Sequence, residues 1–396
     1  MATSVPSDIR RDAQDGDPVA LARLLVSIPS VNPELEEGGA GEADIASACA
    51  DLLRGWGFAT VLEDAAPGRP NVLARLEGSG PTLLLNGHLD TVGIGGMTVD
   101  PFGARLDGHR LMGRGACDMK GGVAAMLAAA SRLSETERDE RPELVVALTS
   151  DEEHASLGMA RLVEHLPSID MAIVCEPTGL AVMPAHKGFV WIRATFTGRA
   201  AHGSRADVGV DAIRHAALYL ARLDGLAAEL SATRPHPLLG HPSLHAGTIR
   251  GGSAESIYPD RCELLLERRT LPGEPLAEVV GAFRATMEEL VASEPDVRGT
   301  LEVTLERPGT EVPADAGLVR GLLDALERRG HGRAVRGMSA WVEAAFLNEA
   351  GIPAVCMGPG DIEQAHTRDE WIDVREIDVC ARVLVDFART LVSAPL

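Results

Sequence analysis

Apolar residues in most of the chain follow either helical or strand periodicity, and the two patterns alternate. Apolar residues spaced three and four apart predict helices over 19–28, 43–56, 119–133, 316–329 and 376–392. Short apolar runs between them predict buried strands over 71–76, 82–85, 144–148, 171–174 and 354–357. Such alternation is typical of an α/β sheet with helices on its faces. In such sheets, functional side chains gather just beyond the carboxyl ends of the strands.

The pattern changes between about residues 185 and 300. The predicted elements there are a strand at 189–196, a helix at 210–223, strands at 244–250 and 262–268, a helix at 278–291 and a strand at 301–305. The order β-α-β-β-α-β is ferredoxin-like and indicates an inserted α+β domain. We therefore expect one discontinuous domain formed by residues 1–184 and 303–396, with 185–302 inserted. The first dozen residues are expected to be mobile.

Length and composition limit the possible functions. A chain of 396 residues is too long for one ordinary core, which agrees with two domains. The net charge of −21 argues against binding to nucleic acid or to an anionic membrane, because both need an excess of Lys and Arg. No apolar run approaches the ~18 residues of a membrane span, and the N-terminus has no signal-like apolar stretch. We therefore expect a cytoplasmic protein.

Candidate chemistry is concentrated in five short segments, each placed where an apolar run breaks into a loop. The segments supply two histidines and several acids, which no single stretch of the chain could provide. They are NGHLDTV with His88 and Asp90, GACDMKGG with Asp118, TSDEEHASLG with Glu152 and Glu153, VCEPT with Glu176, and QAHTRDEW with His366. Two close divalent cations need about five such ligands and a spare carboxylate to handle a proton. The set indicates metal-assisted hydrolysis.

Taken singly, most of these residues have an ordinary structural explanation. His88 and Asp90 could form a buried hydrogen bond, although a carboxylate two residues away also suits the support of a metal-bound imidazole. Glu152 and Glu153 could be the acidic first turn of a helix after the capping pair Ser150-Asp151. An ionised Glu176 at the end of an apolar strand would be costly unless paired, and a metal would pair it. The joint presence of these residues favours the metal site.

Neighbouring residues could be mistaken for further ligands or for a different site. The glycine-rich RGACDMKGG could suggest a phosphate cradle, but it lacks the GK[ST] ending of a P-loop. The six cysteines show no CxxC pair and indicate buried thiols of a reducing compartment. Cys117 and Cys175 each precede a proposed ligand, and we expect both to pack beside the site.

With these five segments in this order, the chain resembles the dinuclear zinc aminoacylase and carboxypeptidase family, which includes acetylornithine deacetylase, succinyl-diaminopimelate desuccinylase and carboxypeptidase G. The likeness extends from about residue 18 to 392. It implies a zinc-peptidase-like catalytic domain with a mixed sheet, an inserted ferredoxin-like dimerisation domain, and two divalent metal ions, Zn²⁺ first and Co²⁺ as an alternative.

The resemblance also implies roles for individual residues. One ion would be held by His88 and Glu176 and the other by Glu153 and His366, with Asp118 bridging the two. Asp90 would support His88. Glu152 would be the general base in hydrolysis of an amide bond by metal-activated water.

Three further residues are assigned by resemblance within the inserted domain. His202, in GRAAHGSRADVGVDAI, would stabilise the oxyanion in the partner subunit's site, which implies a homodimer. By itself His202 would be an ordinary loop histidine. Arg269, or else Arg205, would bind a substrate carboxylate through its planar fork.

The chain departs from the family pattern near the expected substrate. An asparagine common in the family is replaced near Ser256, and a Thr-Asp pair is replaced by Val342-Glu343. The leading hypothesis is therefore a metal-dependent amidohydrolase acting on a small N-acyl amino acid, similar to acetylornithine deacetylase. A carboxypeptidase or dipeptidase is the alternative, and a non-catalytic binding relative is a third. A redox metal enzyme is disfavoured by the carboxylate-rich donor set.

Overall fold

The computed structural model describes residues 6–393 and divides the chain into two compact units. The first unit consists of the chain up to Pro184, Val312–Arg336, and the chain from Val342 onwards. The second consists of Ala185–Glu311 and Gly337–Trp341. The sequence placed the return to the first domain at residue 303, which lies inside a strand of the second unit, Gly299–Arg307. That strand is held by its pairing with Gly188–Thr197, so the second unit continues beyond it.

The helices and strands have the following bounds. The α-helices are α1 Ser7–Gln14, α2 Pro18–Val26, α3 Ala43–Gly55, α4 Gly121–Ser134, α5 Leu157–Leu162, α6 Ala212–Ala232, α7 Leu276–Ser293, α8 Gly317–Arg328, α9 Ala344–Glu349 and α10 Val374–Ser393. The strands are β1 Ala59–Ala66, β2 Arg69–Leu76, β3 Thr82–His88, β4 Arg105–Asp107, β5 Arg110–Met112, β6 Glu143–Thr149, β7 Met171–Val174, β8 Val182–His186, β9 Gly188–Thr197, β10 Ser243–Gly251, β11 Arg261–Thr270, β12 Gly299–Arg307, β13 Thr310–Glu311, β14 Val335–Met338, β15 Ala354–Cys356 and β16 Trp371–Asp373.

The main sheet of the first unit is mixed, as predicted. Its strands have the order β1-β2-β6-β3-β7-β15-β8. Strands β6, β3, β7 and β15 run parallel to one another, whereas β1, β2 and β8 are antiparallel to their neighbours. The four parallel strands therefore end at one edge of the sheet, where their loops can meet.

Helices pack on this sheet and bury its apolar side chains. Helix α4 is buried along nearly its whole length and contacts α10 and α2. It approaches the end of β7 closely, since a Cβ on Gly122 would lie 2.0 Å from the carbonyl oxygen of Cys175. Gly122 is therefore required for α4 to lie against the strand ends that carry the candidate site.

Helix α1 begins at Ser7, so the expectation of a mobile first dozen residues was wrong from there on, while residues 1–5 lie outside the described part of the chain. Ile9 and Ala13 are four residues apart and therefore share one helix face. Both are buried in the core of the first unit, and α1 packs against α2. Two apolar side chains in an otherwise polar segment give a weak sequence signal, which explains why the helix was missed.

The second unit is a four-stranded antiparallel sheet in the order β10-β11-β9-β12, with α6 and α7 packed against it. Its core contains Phe196, Tyr219 and Phe283. The observed order of strands and helices confirms the predicted ferredoxin-like fold. Strand β10 is an edge strand and is exposed along most of its length. Among residues 6–393, no helix is both long and apolar enough to span a membrane.

Candidate metal centre

The parallel strands bring four of the predicted side chains to one edge of the first unit's sheet. His88 is the last residue of β3, and it pairs in register with Thr149, the last residue of β6. Glu152 and Glu153 follow β6 after two residues, and Glu176 follows β7 after one. Because β3 lies between β6 and β7, the three loops start side by side.

Four side chains from distant segments meet at this edge. The Nε2 atom of His88 lies 3.2 Å from Oδ1 of Asp118. The Nε2 atom of His366 lies 3.5 Å from Oδ2 of Asp118 and 3.1 Å from Oε2 of Glu153. Ligand atoms of His88, Asp118 and Glu153 all lie within 4.8 Å of one another. Asp118 thus has one oxygen directed to each histidine, the arrangement expected of a carboxylate between two cations.

Asp118 is held by a residue that the sequence analysis did not assign. It lies in the short segment 116–120 before α4, has an extended backbone (φ −120°, ψ 98°) and is buried. The carboxylate of Glu370 accepts hydrogen bonds from the backbone N–H groups of Cys117 (2.8 Å) and Asp118 (3.1 Å). It also forms a buried ion pair with Arg114 at 2.7 Å. Glu370 lies in the QAHTRDEW segment, four residues after His366. Its place in that segment was the one feature of the sequence that could have assigned it to the centre.

Asp90 lies against His88 and also contacts the loop that carries both glutamates. The Nδ1 atom of His88 is closer to the backbone carbonyl oxygen of Asp90 (3.0 Å) than to its carboxylate (3.5 Å). The carboxylate accepts hydrogen bonds from the backbone N–H groups of Glu152 (3.0 Å) and Glu153 (3.1 Å) and from the amide of Asn32 (2.8 Å). Asp90 therefore fixes the loop that carries both glutamates, and it supports His88 mainly through its backbone.

The electrostatics of the cluster are those of acids crowded together in a buried place. Burial raises the pKa of Glu152 well above its usual value, and the charge of Glu176 raises it further. Burial, followed by the charge of Asp118, raises the pKa of Glu176 in the same way. Hydrogen bonds to Asp118 and Glu153 raise the pKa of His366 to about 10. The centre therefore concentrates negative charge from several carboxylates in a small space.

The donor set fits divalent metal ions. Three carboxylates and two imidazoles are ligands that zinc and similar ions accept, and the N–H group on Nδ1 of His88 can donate to the Asp90 carbonyl while Nε2 faces the site. The neighbouring thiols are poor competitors. Burial raises the pKa of Cys175 well above its usual value, and the thiol of Cys117 donates to the carbonyl oxygen of Asp361.

A buried carboxyl group, Glu343, was noticed in the sequence only as a departure from the family pattern. It immediately precedes α9 and accepts a hydrogen bond of 2.6 Å from the hydroxyl of Thr149. Its Oε1 atom is buried and has no hydrogen-bond partner among the described residues. Burial raises the pKa of Glu343 to about 7.

The remaining predicted residues belong to the second unit. His202 is exposed and hydrogen-bonds through Nδ1 to the Ser204 hydroxyl at 2.9 Å. Arg205 is exposed and forms a two-pronged ion pair with Asp207, with both bonds at 2.8 Å. Arg269 pairs with Glu267 at 2.7 Å. Both arginines are therefore paired with an acid two residues away in the sequence.

Comparisons with known proteins agree with this arrangement. Residues 84–390 match the family model described as Peptidase family M20/M25/M40. Over 329 residues the chain is 34% identical to an acetylornithine deacetylase of Myxococcus xanthus, covering 82% of this chain and 84% of that protein. A tripeptidase of Staphylococcus aureus has a similar structure, with a TM-score of 0.80 at 21% identity, covering 96% and 99% of the two chains. A dinuclear metal binding peptidase of Bacillus subtilis gives a TM-score of 0.72 at 17% identity, covering 96% and 99%.

Proposed function

The chain belongs to Peptidase family M20/M25/M40, and we propose that it hydrolyses the amide bond of a small N-acyl amino acid at the centre formed by His88, Asp118, Glu153 and His366. Membership of this family makes it a metal-dependent amidohydrolase. The observation that carries the proposal is the position of Asp118, whose two oxygens face different histidines at 3.2 and 3.5 Å. The 34% identity to a deacetylase favours an N-acyl amino acid as substrate.

We propose that the centre holds two divalent ions, with Zn²⁺ as the first choice and Co²⁺ as the second. His88 and Glu176 would hold one ion and Glu153 and His366 the other, with Asp118 between them. When bound, such ions polarise a carbonyl group and lower the pKa of water toward ~7. They would also neutralise the acids that burial and neighbouring carboxylates crowd together at this centre.

Glu152 is the general base in this proposal. Its backbone N–H donates to the carboxylate of Asp90, and this hydrogen bond fixes the backbone from which its side chain extends beside the ligand Glu153. A carboxylate fixed beside the ligands can accept a proton from water and later release it to an amine. Glu152 takes the proton of the attacking water and passes it to the departing amine.

The second unit supplies the proposed dimer contact and the oxyanion donor. Strand β10 has an unpaired edge and an exposed apolar side chain, Ile249, of which 54% is accessible. Unpaired strand edges tend to pair with another chain. We infer a homodimer formed through this unit, in which His202 of one subunit stabilises the oxyanion in the other subunit's site.

Recognition of the substrate carboxylate is assigned to Arg269, with Arg205 as the alternative. Both have a guanidinium that can exchange its present acidic partner for a carboxylate of the substrate. A cytoplasmic location is supported by six cysteines that are all unpaired and buried. A peptidase that accepts dipeptides is a second candidate function, favoured by the structural likeness to a tripeptidase.

A substrate panel tests the proposal. Protein loaded with zinc or cobalt is assayed with N-acetyl amino acids, including N-acetylornithine, and with dipeptides, and Glu152→Gln is assayed in parallel. Faster hydrolysis of an N-acetyl amino acid supports the deacylase, whereas faster hydrolysis of dipeptides supports the second candidate. Absence of turnover in both sets with fully loaded protein would contradict both.

A further inference from the structure

Asp151 precedes the two glutamates of the proposed centre and has an unusual backbone. Its φ is +68°, in the left-handed region that residues other than glycine rarely adopt. It is fully buried, although its side chain is charged. The surrounding structure must therefore hold Asp151 in this conformation. The backbone of Asp151 determines the direction in which the loop with Glu152 and Glu153 leaves β6.

Both carboxylate oxygens of Asp151 are engaged. Oδ1 accepts hydrogen bonds from the guanidinium of Arg69 (3.2 Å) and from the side-chain amide of Asn32 (3.0 Å). Oδ2 accepts longer hydrogen bonds from the backbone N–H groups of Ala155 (3.3 Å) and Leu157 (3.4 Å). The loop is thus wound around this side chain, which is tied to the body of the first unit by Arg69 and Asn32.

Arg69 is itself fixed by a second buried acid. Its Nε and one terminal nitrogen donate to the two oxygens of Glu42, each at 2.5 Å. Glu42 also accepts the backbone N–H of Asp151 at 3.2 Å. Arg69 is the first residue of β2 and Glu42 immediately precedes α3, so the pair joins two elements distant in sequence to the loop after β6.

A second connection reaches the glutamates directly. The Asn32 amide donates to Asp151 and also to Asp90 at 2.8 Å. Asp90 in turn accepts the backbone N–H groups of Glu152 and Glu153. The guanidinium of Arg69 lies among three buried carboxylates, those of Glu42, Asp90 and Asp151, and their charges raise its pKa against the opposing effect of burial.

We propose that Arg69 is a positioning residue for Glu152 and Glu153, acting through Asp151. This inference rests on the proposed function of the two glutamates. Arg69 is 8% exposed and has no surface role, and nothing in the five motif segments identifies it. A purely structural ion pair would affect unfolding alone. A positioning residue also affects how the loop meets the metal and the water.

The test compares Arg69→Lys with Arg329→Lys. Lysine keeps the charge of Arg69 but lacks the planar fork. It cannot donate to both oxygens of Glu42 and to Oδ1 of Asp151 in the geometry of the guanidinium. Arg329 forms a two-pronged pair with Asp386, both bonds at 2.7 Å, in the same unit and away from the centre, and serves as the matched control. Both variants are compared with the wild type for kcat and KM at 25 °C, for zinc affinity of the metal-free protein, and for thermal unfolding.

We expect Arg69→Lys to lose roughly 10- to 100-fold in kcat with KM changed much less, and to bind zinc roughly 10-fold more weakly, the scale seen when the supports of metal ligands are removed. Arg329→Lys should match the wild type in both. Unchanged kcat and zinc affinity in folded Arg69→Lys would overturn the proposal. If Arg69→Lys does not fold, Asp151→Asn decides, since it removes the charge through which Arg69 holds the loop and keeps the shape of the side chain; unchanged kcat and zinc affinity in Asp151→Asn would then overturn the proposal.

The two proposals can fail separately. If the wild type hydrolyses no substrate of the panel, the proposed function fails, and the zinc affinity of the variants still decides the role of Arg69. If the wild type is active and Arg69→Lys behaves like Arg329→Lys, the proposed function stands and the inference about Arg69 falls.

Discussion

The carboxylate of Glu370 accepts a hydrogen bond from the backbone N–H of Asp118 at 3.1 Å. The segment that carries His366 is therefore joined by hydrogen bonds to the segment that carries Asp118. The same carboxylate neutralises the buried Arg114. Glu370 is thus both a support of the centre and one member of a buried ion pair.

Replacement of Glu370 by alanine should destabilise the protein strongly. Removing one partner of a buried pair typically costs about 3–5 kcal/mol, because the other charge stays buried and unpaired. Urea unfolding of the metal-free protein should show a loss of this size. Asp369→Ala, at an exposed neighbouring acid, is the control and should change stability by about 0.5 kcal/mol or less. Equal midpoints for the two variants would refute the role of Glu370.

The strand ends could be predicted from sequence because each is a local pattern. His88 closes an apolar run, and Glu176 follows another, so both were placed at the edge of a sheet before the order of strands was known. The parallel pairing of β3 with β6 and β7 then brings them together. An apolar run that stops at a polar residue is thus enough to predict where a buried strand ends.

The supports of the centre could not be predicted in the same way. Glu370 and Asp118 are 252 positions apart, and Arg69 and Asp151 are 82 apart. Their contacts depend on how the loops pack, which no periodicity records. For Asp90 the type of residue suggested a contact with His88, which its carboxylate makes at 3.5 Å, but not the three shorter hydrogen bonds that it accepts from Asn32, Glu152 and Glu153.

Glu152→Gln should separate catalysis from metal binding. Glutamine keeps the shape of the side chain but cannot accept the proton of water, so kcat should fall by roughly 10²–10⁴-fold. Metal analysis should still find two ions per chain. Glu153→Gln is the comparison, and it should lower the metal content as well, since Glu153 lies 3.1 Å from His366 at the proposed second ion. Substantial activity in Glu152→Gln would remove it as the base.

Asp118→Ala should reduce metal binding more than loss of any single terminal ligand. Its two oxygens face His88 and His366, so both proposed ions lose a ligand at once. Isothermal titration calorimetry of the metal-free variant with zinc should show weakened binding at both sites. His366→Ala should weaken one site only. Two intact sites in Asp118→Ala would exclude a bridging position.

Two inactive variants should restore activity to each other if His202 serves the partner's site. His202→Ala should fold normally but lose most of its kcat, because the oxyanion loses its donor. In a mixed dimer of His202→Ala with Glu152→Gln, one of the two sites has an intact Glu152 and receives an intact His202. Mixing the two after mild dissociation should therefore recover part of the wild-type activity. If mass spectrometry verifies the mixed dimer and no activity is recovered, His202 does not act in the partner's site.

Glu343 gives a prediction about stability and pH. Burial raises its folded pKa to about 7, whereas the unfolded chain has the usual value near 4.5. The folded state therefore holds the proton more tightly, so the stability that this proton provides is complete below pH ~4.5 and is lost as the pH rises through about 7. The loss amounts to about 3 kcal/mol for a shift of this size.

Glu343→Gln has no proton to lose, so in metal-free protein its stability relative to the wild type should increase between pH 5 and pH 8. Glu349→Gln, at the exposed end of the same helix, should follow the wild-type curve throughout. Parallel curves for Glu343→Gln and the wild type would show that Glu343 keeps the same charge in both states.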